Sequence, residues 1–191
     1  MSTVYIGLVH YPIYNKRNEI VTTAITNFDI HDIARTARTY GVEKYFIIHP
    51  LESQSNLAET IIDYWQTGYG GEHHPDRKAA LSIVELTKSI ADTSRIIELQ
   101  TGKKPYIITT DARIYPNTVS YVFLREKIKI NNDVPCLILF GTGWGIENKV
   151  MAQFDYILEP IYGPVDYNHL PVRAAVSIIL DRLLGENWWE K

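Results

Sequence analysis

The sequence predicts an α/β fold, with a mostly parallel sheet carrying helices on both faces. Short apolar strands alternate with longer helical segments along the chain, the pattern that builds such a sheet. Glycine-rich loops sit at the ends of two late strands, Gly141-Thr142-Gly143-Trp144-Gly145 and Ile161-Tyr162-Gly163-Pro164-Val165-Asp166-Tyr167-Asn168. No repeat, linker or low-complexity stretch interrupts the 191 residues, so a single domain over 1–191 is expected.

Each element has a local reason. Val4–Val9 is a short apolar run closed by His10-Tyr11-Pro12, a strand entering a turn. Ile20–Tyr40 reads as a helical region with Ile30, Ile33, Ala34 and Ala37 on one face and Gly41 as its stop. Tyr45–Ile48 is a strand broken at Pro50, and Ser55–Gln66 a second helix. Thr67–Pro75 contains three glycines and a proline, which predicts an irregular loop. Ala79–Thr101 reads as one long amphipathic helix ending at Gly102. Tyr106–Thr109 is a strand and Thr118–Glu126 a helix, followed by strands Pro135–Phe140 and Tyr156–Leu158. The last helix has Asn168 as its cap, Pro171 in its first turn and Gly185 as its end.

Composition narrows the class. With 46% hydrophobic residues the chain can bury a full core. A net charge of −3 argues against a broadly basic nucleic-acid binder and leaves room for a local basic face. The lone Cys136 sits in an apolar strand, which excludes a disulfide framework and points to the cytoplasm. No signal peptide and no apolar run of membrane-spanning length are visible.

In an open α/β sheet, ligands bind beyond the carboxyl ends of the strands. Three such ends are candidates: Thr109-Thr110-Asp111, Phe140–Gly145 and the segment Pro160–Leu170. A dinucleotide fingerprint is absent, since no G-x-G-x-x-G follows an early strand. A P-loop is absent too, since no G-K-[ST] follows the glycines. What remains is a ligand without a large phosphate group, held by bare backbone that a Cβ would obstruct. Phe140, Ile146, Ile161 and Leu170 can cover its apolar faces.

The stretch Val134–Gly185 resembles the carboxyl-terminal half of SPOUT-superfamily RNA methyltransferases, in their compact, knot-only subgroup. The likeness lies in an apolar strand, then G-T-G-W-G-I, a spacer, a strand running into Pro160, an Asn168-containing loop and an apolar helix. Asn27–Pro50 is similar, more weakly, to the family's first motif. The resemblance implies a trefoil knot over about 105–185 and S-adenosylmethionine as cofactor. It further implies a structured RNA substrate, tRNA or rRNA, and a homodimer through the carboxyl-terminal helix. The cofactor residues it implies are Thr109, Thr110, Asp111, Phe140, Gly141, Thr142, Gly143, Gly145 and Ile146 on the first loops. On the last loop they are Ile161, Gly163, Pro164, Tyr167, Asn168, His169 and Leu170. Arg35 matches the first-motif arginine and Asn168 the third-motif asparagine, the two implied catalytic residues. The Asn27-to-Arg35 spacing is one residue shorter than in the ribose-methylating branch, and Gly143 stands where that branch has Glu. The acceptor is therefore open between a ribose hydroxyl and a base nitrogen.

Methyl transfer from an activated sulfonium needs no metal and no catalytic cysteine. Glu72, His73, His74 and Asp76 are the residues closest to a metal-ligand pattern, but neighbouring histidines point apart, and a mobile loop over the site is expected. His10, His31 and Asp32 are further polar candidates, and Lys16-Arg17, Arg77-Lys78, Lys103-Lys104 and Arg113 could meet phosphates. Val172–Leu184 is apolar nearly all round, which calls for cover on both sides, and Trp188-Trp189 reads as a packing anchor. Two rival readings use the same residues. One is a cofactor- or RNA-binding module without catalysis, and the other is a different α/β enzyme acting on a nucleotide.

Overall fold

The computed structural model describes residues 1–130 and 133–186. The first half contains β1 (Val4–Val9), β2 (Ile13–Tyr14), β3 (Ile20–Val21), α1 (Asn27–Thr39), β4 (Lys44–Ile48), α2 (Glu52–Gln66), α3 (Tyr69–His73), α4 (Pro75–Leu81), β5 (Val84–Thr87) and α5 (Ile90–Thr101). The second half contains β6 (Tyr106–Thr110), β7 (Thr118–Val119), α6 (Tyr121–Ile130), β8 (Cys136–Gly141), α7 (Asn148–Met151), β9 (Tyr156–Leu158) and α8 (Val172–Leu184). Seven strands form one sheet in the order β5-β4-β1-β8-β6-β9-β7, and every neighbouring pair in it is parallel. All their carboxyl ends therefore open on one edge.

Strand alternation divides the core into two layers. Val4, Ile6 and Leu8 of β1 and Cys136, Ile138 and Phe140 of β8 face α1, α6 and α8, burying Ile33, Leu124 and Leu180. Tyr5 and Val9, with Leu137 and Leu139, face the other way onto Ile97 of α5 and Met151 of α7. Helices thus cover both faces, as the sequence predicts.

Several boundaries differ from the sequence expectation, each for a local reason. Ile20–Tyr40 is not helical throughout. Ile20 and Val21 pair antiparallel with Tyr14 and Ile13 across a turn in which the Asn15 side chain accepts from the N–H groups of Arg17 and Glu19. Ala79–Thr101 is three elements. β5 is an edge strand on β4, and Ser89 starts α5 by accepting from Asp92 N–H and donating to its carboxylate at 2.8 Å. Thr118-Val119 is a short parallel edge on β9, with the helix starting at Tyr121. Thr67–Pro75 contains a helical turn rather than a mobile loop over the site. Its Gly70 packs so tightly that a Cβ would stand 2.6 Å from the Tyr64 ring and 2.8 Å from the Trp65 ring. Pro171 is the N-cap of α8, outside the first turn, and Asn168 does not cap it. Trp188-Trp189 lies outside the described residues.

A half-buried polar chain that starts at the buried His10 fastens the β2–β3 ribbon to the end of β1. The Thr142 hydroxyl donates to the Val9 carbonyl at 3.0 Å, which can only accept. Thr142 Oγ1 must then accept from Thr23 Oγ1–H, and Thr23 Oγ1 from His10 Nδ1–H at 2.9 Å. His49 is set equally firmly, because its Nδ1 accepts from Leu51 N–H, leaving Nε2–H to donate to the Thr23 carbonyl at 3.0 Å. An accepting ring nitrogen carries no proton, so His49 is neutral. Burial, followed by the neighbouring His49 ring, which disfavours a second positive charge, pulls the His10 pKa down to about 4 and so keeps His10 neutral, and burial lowers that of His49.

Folding favours the neutral imidazole of His10, whereas the unfolded chain takes up its proton near 6.5. Stability should therefore fall as pH drops from about 6.5 to about 4, by up to ~3 kcal/mol from His10 alone at ~1.4 kcal/mol per pH unit. Urea midpoints measured across this window check it. His10→Asn, which keeps a donor for Thr23 without a titrating ring, should flatten the dependence, and an unchanged slope would remove His10 as its source.

Candidate functional site

The edge where β6, β8 and β9 end holds a cleft of about 900 Å³. Its floor and walls come from four stretches: residues 23–29 before and within α1, 110–113 after β6, 140–145 after β8, and 159–179 from β9 into α8. The three strand ends singled out in the sequence converge on it. Thr110, Asp111, Phe140, Gly141, Thr142, Gly143, Gly145, Ile161, Tyr167, Asn168, His169 and Leu170 all line it.

Four of the expected cofactor residues do not line the cleft. Thr109 is fully buried in β6, with a hydroxyl that has no hydrogen-bond partner. Ile146 is buried beneath the glycine loop, packed with the far-face core and bridged to Ile13. Gly163 and Pro164 lie on the exposed outer part of their loop, with nothing within 4 Å of a Cβ at Gly163.

The glycine loop is held by the ribbon as much as by its own turn. Tyr14 N–H donates to the Gly145 carbonyl at 2.9 Å, Trp144 N–H to the Tyr14 carbonyl at 3.1 Å, and Glu147 N–H to Pro12 at 3.1 Å. Gly143 takes φ +54°, and a Cβ there would stand 3.0 Å from Ile13 Cγ2. Its lack of a side chain serves the clamp between loop and ribbon, besides leaving backbone open to a ligand.

Charge is distributed unevenly around the cleft. Asp111 is almost buried and gripped by Arg113, with Nε to Oδ1 at 2.9 Å and Nη2 to Oδ2 at 3.0 Å, so its charge is neutralised on the spot. Asp29 is buried in the first turn of α1 and holds Thr26 in a reciprocal pair: the Thr26 hydroxyl donates to its carboxylate at 2.6 Å and accepts from its N–H at 3.2 Å. Arg173 reaches it only at 3.9 Å. Glu159 accepts from Tyr121 N–H at 2.7 Å. Asp29 and Glu159 thus bring net negative charge to walls otherwise formed by Phe140, Ile161, Leu170, Val172 and Ile179. At one end the first turn of α8 opens into the cleft behind Pro171, which offers no side-chain cap for its N–H groups. Thr26-x-x-Asp29, a helix-start signature, is the sequence signal that marks Asp29.

Asn168 does sit in the cleft, but as a brace. Its Nδ2 donates to the Ala112 carbonyl at 2.8 Å and ties the loop after β9 to the loop after β6. Arg35 is not brought to it. The exposed Arg35 faces a second groove on the other flank of α1. Glu72, His73, His74 and Asp76 line neither depression, and His73 stacks on Tyr69 at 3.8 Å. Among the described residues no three His, Cys, Asp or Glu side chains are grouped to hold a metal. Burial pushes the Cys136 thiol up to about 11, which leaves it inert as a nucleophile.

A family model described as SAM-dependent RNA methyltransferase matches residues 3–185. The chain belongs to this family. A protein of Aquifex aeolicus (strain VF5), of uncharacterized function, is 46% identical over 186 residues, covering 97% of this chain and 90% of the relative. A tRNA (guanine-N(1)-)-methyltransferase of Oleidesulfovibrio alaskensis is 39% identical over 183 residues. That match covers 96% of this chain and only 42% of the relative, so the chain spans less than half of that protein. The fold is similar to that of the SpoU methyltransferase AviRb from Streptomyces viridochromogenes, solved with AdoMet, at a TM-score of 0.58 and 13% identity over 96% of this chain and 59% of that one. The likeness to SPOUT methyltransferases read in the sequence is borne out, with S-adenosylmethionine (SAM) as the family's cofactor, and the rival reading of an unrelated α/β nucleotide enzyme falls away.

The two glycines separate structural from ligand roles. Gly143→Val forces a β-branched residue to positive φ against Ile13 and should weaken SAM binding at least ten-fold, roughly the effect of 1–3 kcal/mol of backbone strain. Gly163→Ala, facing open space, should leave the affinity unchanged. Isothermal titration calorimetry on both variants gives the comparison, and equal affinities would move the cofactor away from the 141–145 loop.

Proposed function

We propose that this chain transfers a methyl group from SAM to structured RNA, tRNA or rRNA, at a base nitrogen or a ribose hydroxyl. The observation that carries the reading is the cleft itself. Three strand ends, two of them glycine loops, and three carboxylates converge there, in a chain of an RNA methyltransferase family. The residues fit the cofactor. Loops 110–113, 140–145 and 161–170 would hold it mainly through main chain, with Phe140, Ile161 and Leu170 against its apolar parts. The uncapped start of α8 suits a carboxylate, and Asp29 and Glu159 suit its cationic groups. When bound, SAM supplies a methyl group already activated on a sulfonium.

The chain's own work is then positional. The His10–Thr23–Thr142 chain and the Asn168 brace keep the loops in one arrangement, so that an acceptor meets the donor in line. Asp29, Glu159 and His169 are the cleft groups that would take the acceptor's proton. Arg35, outside the cleft, would hold the anionic RNA beside it. We place the protein in the cytoplasm, in keeping with its free buried thiol. We read it as a single domain over 1–191, knotted within about 105–185.

The test is transfer of labelled methyl from SAM to bulk tRNA and rRNA, followed by nucleoside mass spectrometry. Methylation of a single nucleotide type is expected, and SAM binding without any incorporation would favour a non-catalytic module. Arg35→Ala should leave SAM affinity intact and lower transfer by roughly ten-fold to a thousand-fold, the loss of ~1.5–4 kcal/mol of charge-assisted contact. Wild-type turnover in this variant would return Arg35 to a solvated helix position.

A homodimer through α8 completes the proposal. Within one chain α8 spends three polar side chains on α1 and Arg182 on Tyr121 of α6: Arg173 pairs with Asp32 at 3.5 Å, Ser177 meets Thr36 at 3.2 Å, Asp181 accepts from Tyr40 at 3.0 Å, and the Arg182 guanidinium lies 4.8 Å over the Tyr121 ring. Ala174 and Ile178 remain half-buried and without a polar task. Light scattering should give twice the 21.9 kDa chain mass, and Ile178→Asp should shift it toward the monomer, because an unpaired charge is costly to bury. A wild-type monomer at micromolar concentration would rule the dimer out.

A further inference from the structure

A second groove, of about 740 Å³, lies between α1, α2 and α4, on the flank of α1 opposite the cleft. Its composition is unlike that of the cleft. Phe28 and Arg35 of α1, Tyr64 and Trp65 of α2, and Arg77 of α4 surround it, with His31 at its base. Phe28 and Tyr64 leave 66% and 50% of their surface open, with the Arg173 guanidinium 5.3 Å over one face of the Phe28 ring. The Arg77 guanidinium lies 4.5 Å over the Trp65 ring, a stacking arrangement that fixes the cation while leaving its in-plane N–H edge for another partner. The groove's carboxylate, Asp32, is already bridged by Arg173 at 3.5 Å. In a chain of net charge −3, this face is locally cationic and aromatic.

That combination is the chemistry of single-stranded nucleic acid recognition, in which bases stack on exposed rings while arginines hold the flanking phosphates. His31 adds a reading group. Its Nδ1 is buried without a hydrogen-bond partner, an orphaned polar atom beneath the rings. Burial, and next the neighbouring Arg77, lower its pKa and favour the neutral ring, which can donate at one nitrogen and accept at the other. The two depressions share the first turn of α1. Thr26 and Asp29 face the cleft, while Asn27 and Phe28 face the groove. A strand lying in the groove therefore crosses α1 directly toward the proposed methyl donor.

Resting on the methyltransferase reading above, we propose that this groove seats unpaired bases of the substrate RNA next to the methylated nucleotide. Tyr64 and Phe28 are the stacking surfaces, and Arg77, with Arg35, is the phosphate clamp.

The probes are a short fluorescein-labelled single-stranded RNA of mixed sequence and bulk tRNA, measured by anisotropy across a salt series. Tyr64→Ala should weaken binding roughly ten-fold, whereas Tyr64→Trp should retain it, since any aromatic face stacks. Arg77→Ala should weaken binding and reduce the slope of log affinity against log salt by about 0.7, one phosphate contact on a single strand. SAM affinity and light-scattering mass should stay unchanged in all three. Unchanged RNA affinity in Tyr64→Ala and Arg77→Ala overturns the groove, as does a wild-type protein that binds neither RNA. A change of mass with RNA binding intact assigns the groove to a second copy of the chain. A loss of RNA binding in Tyr64→Trp with SAM affinity intact overturns the stacking role. RNA binding that responds as expected without any methyl incorporation upholds the groove while the transferase reading fails.

Discussion

The hydrogen-bond chain from His10 through Thr23 and Thr142 to the Val9 carbonyl governs the geometry of the cleft. Its direction follows from its last member, because a carbonyl can only accept, and every hydrogen upstream is then fixed. Three segments far apart in sequence meet in it: the end of β1, the stretch before α1 and the loop after β8. The ribbon adds main-chain bonds from Tyr14 to Trp144 and Gly145. A glycine loop alone is soft, since its residues have the most conformational freedom to lose. Here a neutral, desolvated histidine at one end and a backbone clamp at the other remove that freedom in advance, so a ligand need not supply the ordering.

Helix α1 then divides the surface electrostatically. On its cleft side, Asp29 is met by Arg173 only at 3.9 Å and Glu159 is held by the Tyr121 N–H, while Asp111 is neutralised by the two close contacts of Arg113. On its other side, Arg35 and Arg77 stand beside aromatic rings. A cationic small molecule and a polyanion therefore meet opposite fields within one turn of helix, which steers each away from the other's site. Arg173 links the two flanks, reaching Asp29 at 3.9 Å and Asp32 at 3.5 Å, so the same side chain offsets the carboxylate nearest the groove.

The parts of this arrangement legible in the sequence were those with a backbone signature. Glycine clusters after apolar strands located the cleft, and strand-helix alternation gave the parallel sheet. The parts that escaped depend on side-chain pairing across distance. Thr26-x-x-Asp29 and Ser89-x-x-Asp92 both mark helix starts, yet each lay inside a stretch whose apolar spacing suggested one longer helix. Edge strand β5 alternates too briefly to outweigh that periodicity and is settled by its pairing with β4. Asn168 reads as a cap because its type suits one, but the helix begins at Val172 with Pro171 at its N-cap, three residues downstream, and the Asn168 amide N–H bonds the Ala112 carbonyl instead. Nothing local could show that Arg35 and Asn168 lie on different sides of α1, since that follows from how α1 packs on α8 and α2.

The cleft draws no residue from the segment between α1's first turn and the end of β6. The excursion α2–α3–α4, inserted between β4 and β5, is therefore free of any duty to the proposed cofactor. Because loop backbone would do most of the cofactor binding, donor recognition is compatible with many acceptors, and choice of acceptor must reside in side-chain surfaces elsewhere. This excursion supplies such a surface, and it is rigidly mounted: Gly70 and Gly71 let α3 press directly against Tyr64 and Trp65, and Gln66 bonds the Lys78 carbonyl at 2.8 Å. Tyr64, Trp65 and Arg77 are thus held by tight packing rather than by a loop. On these grounds the proposed division of labour has a physical basis: parallel strand ends for the methyl donor, and an inserted helical platform for the nucleic acid that would receive it.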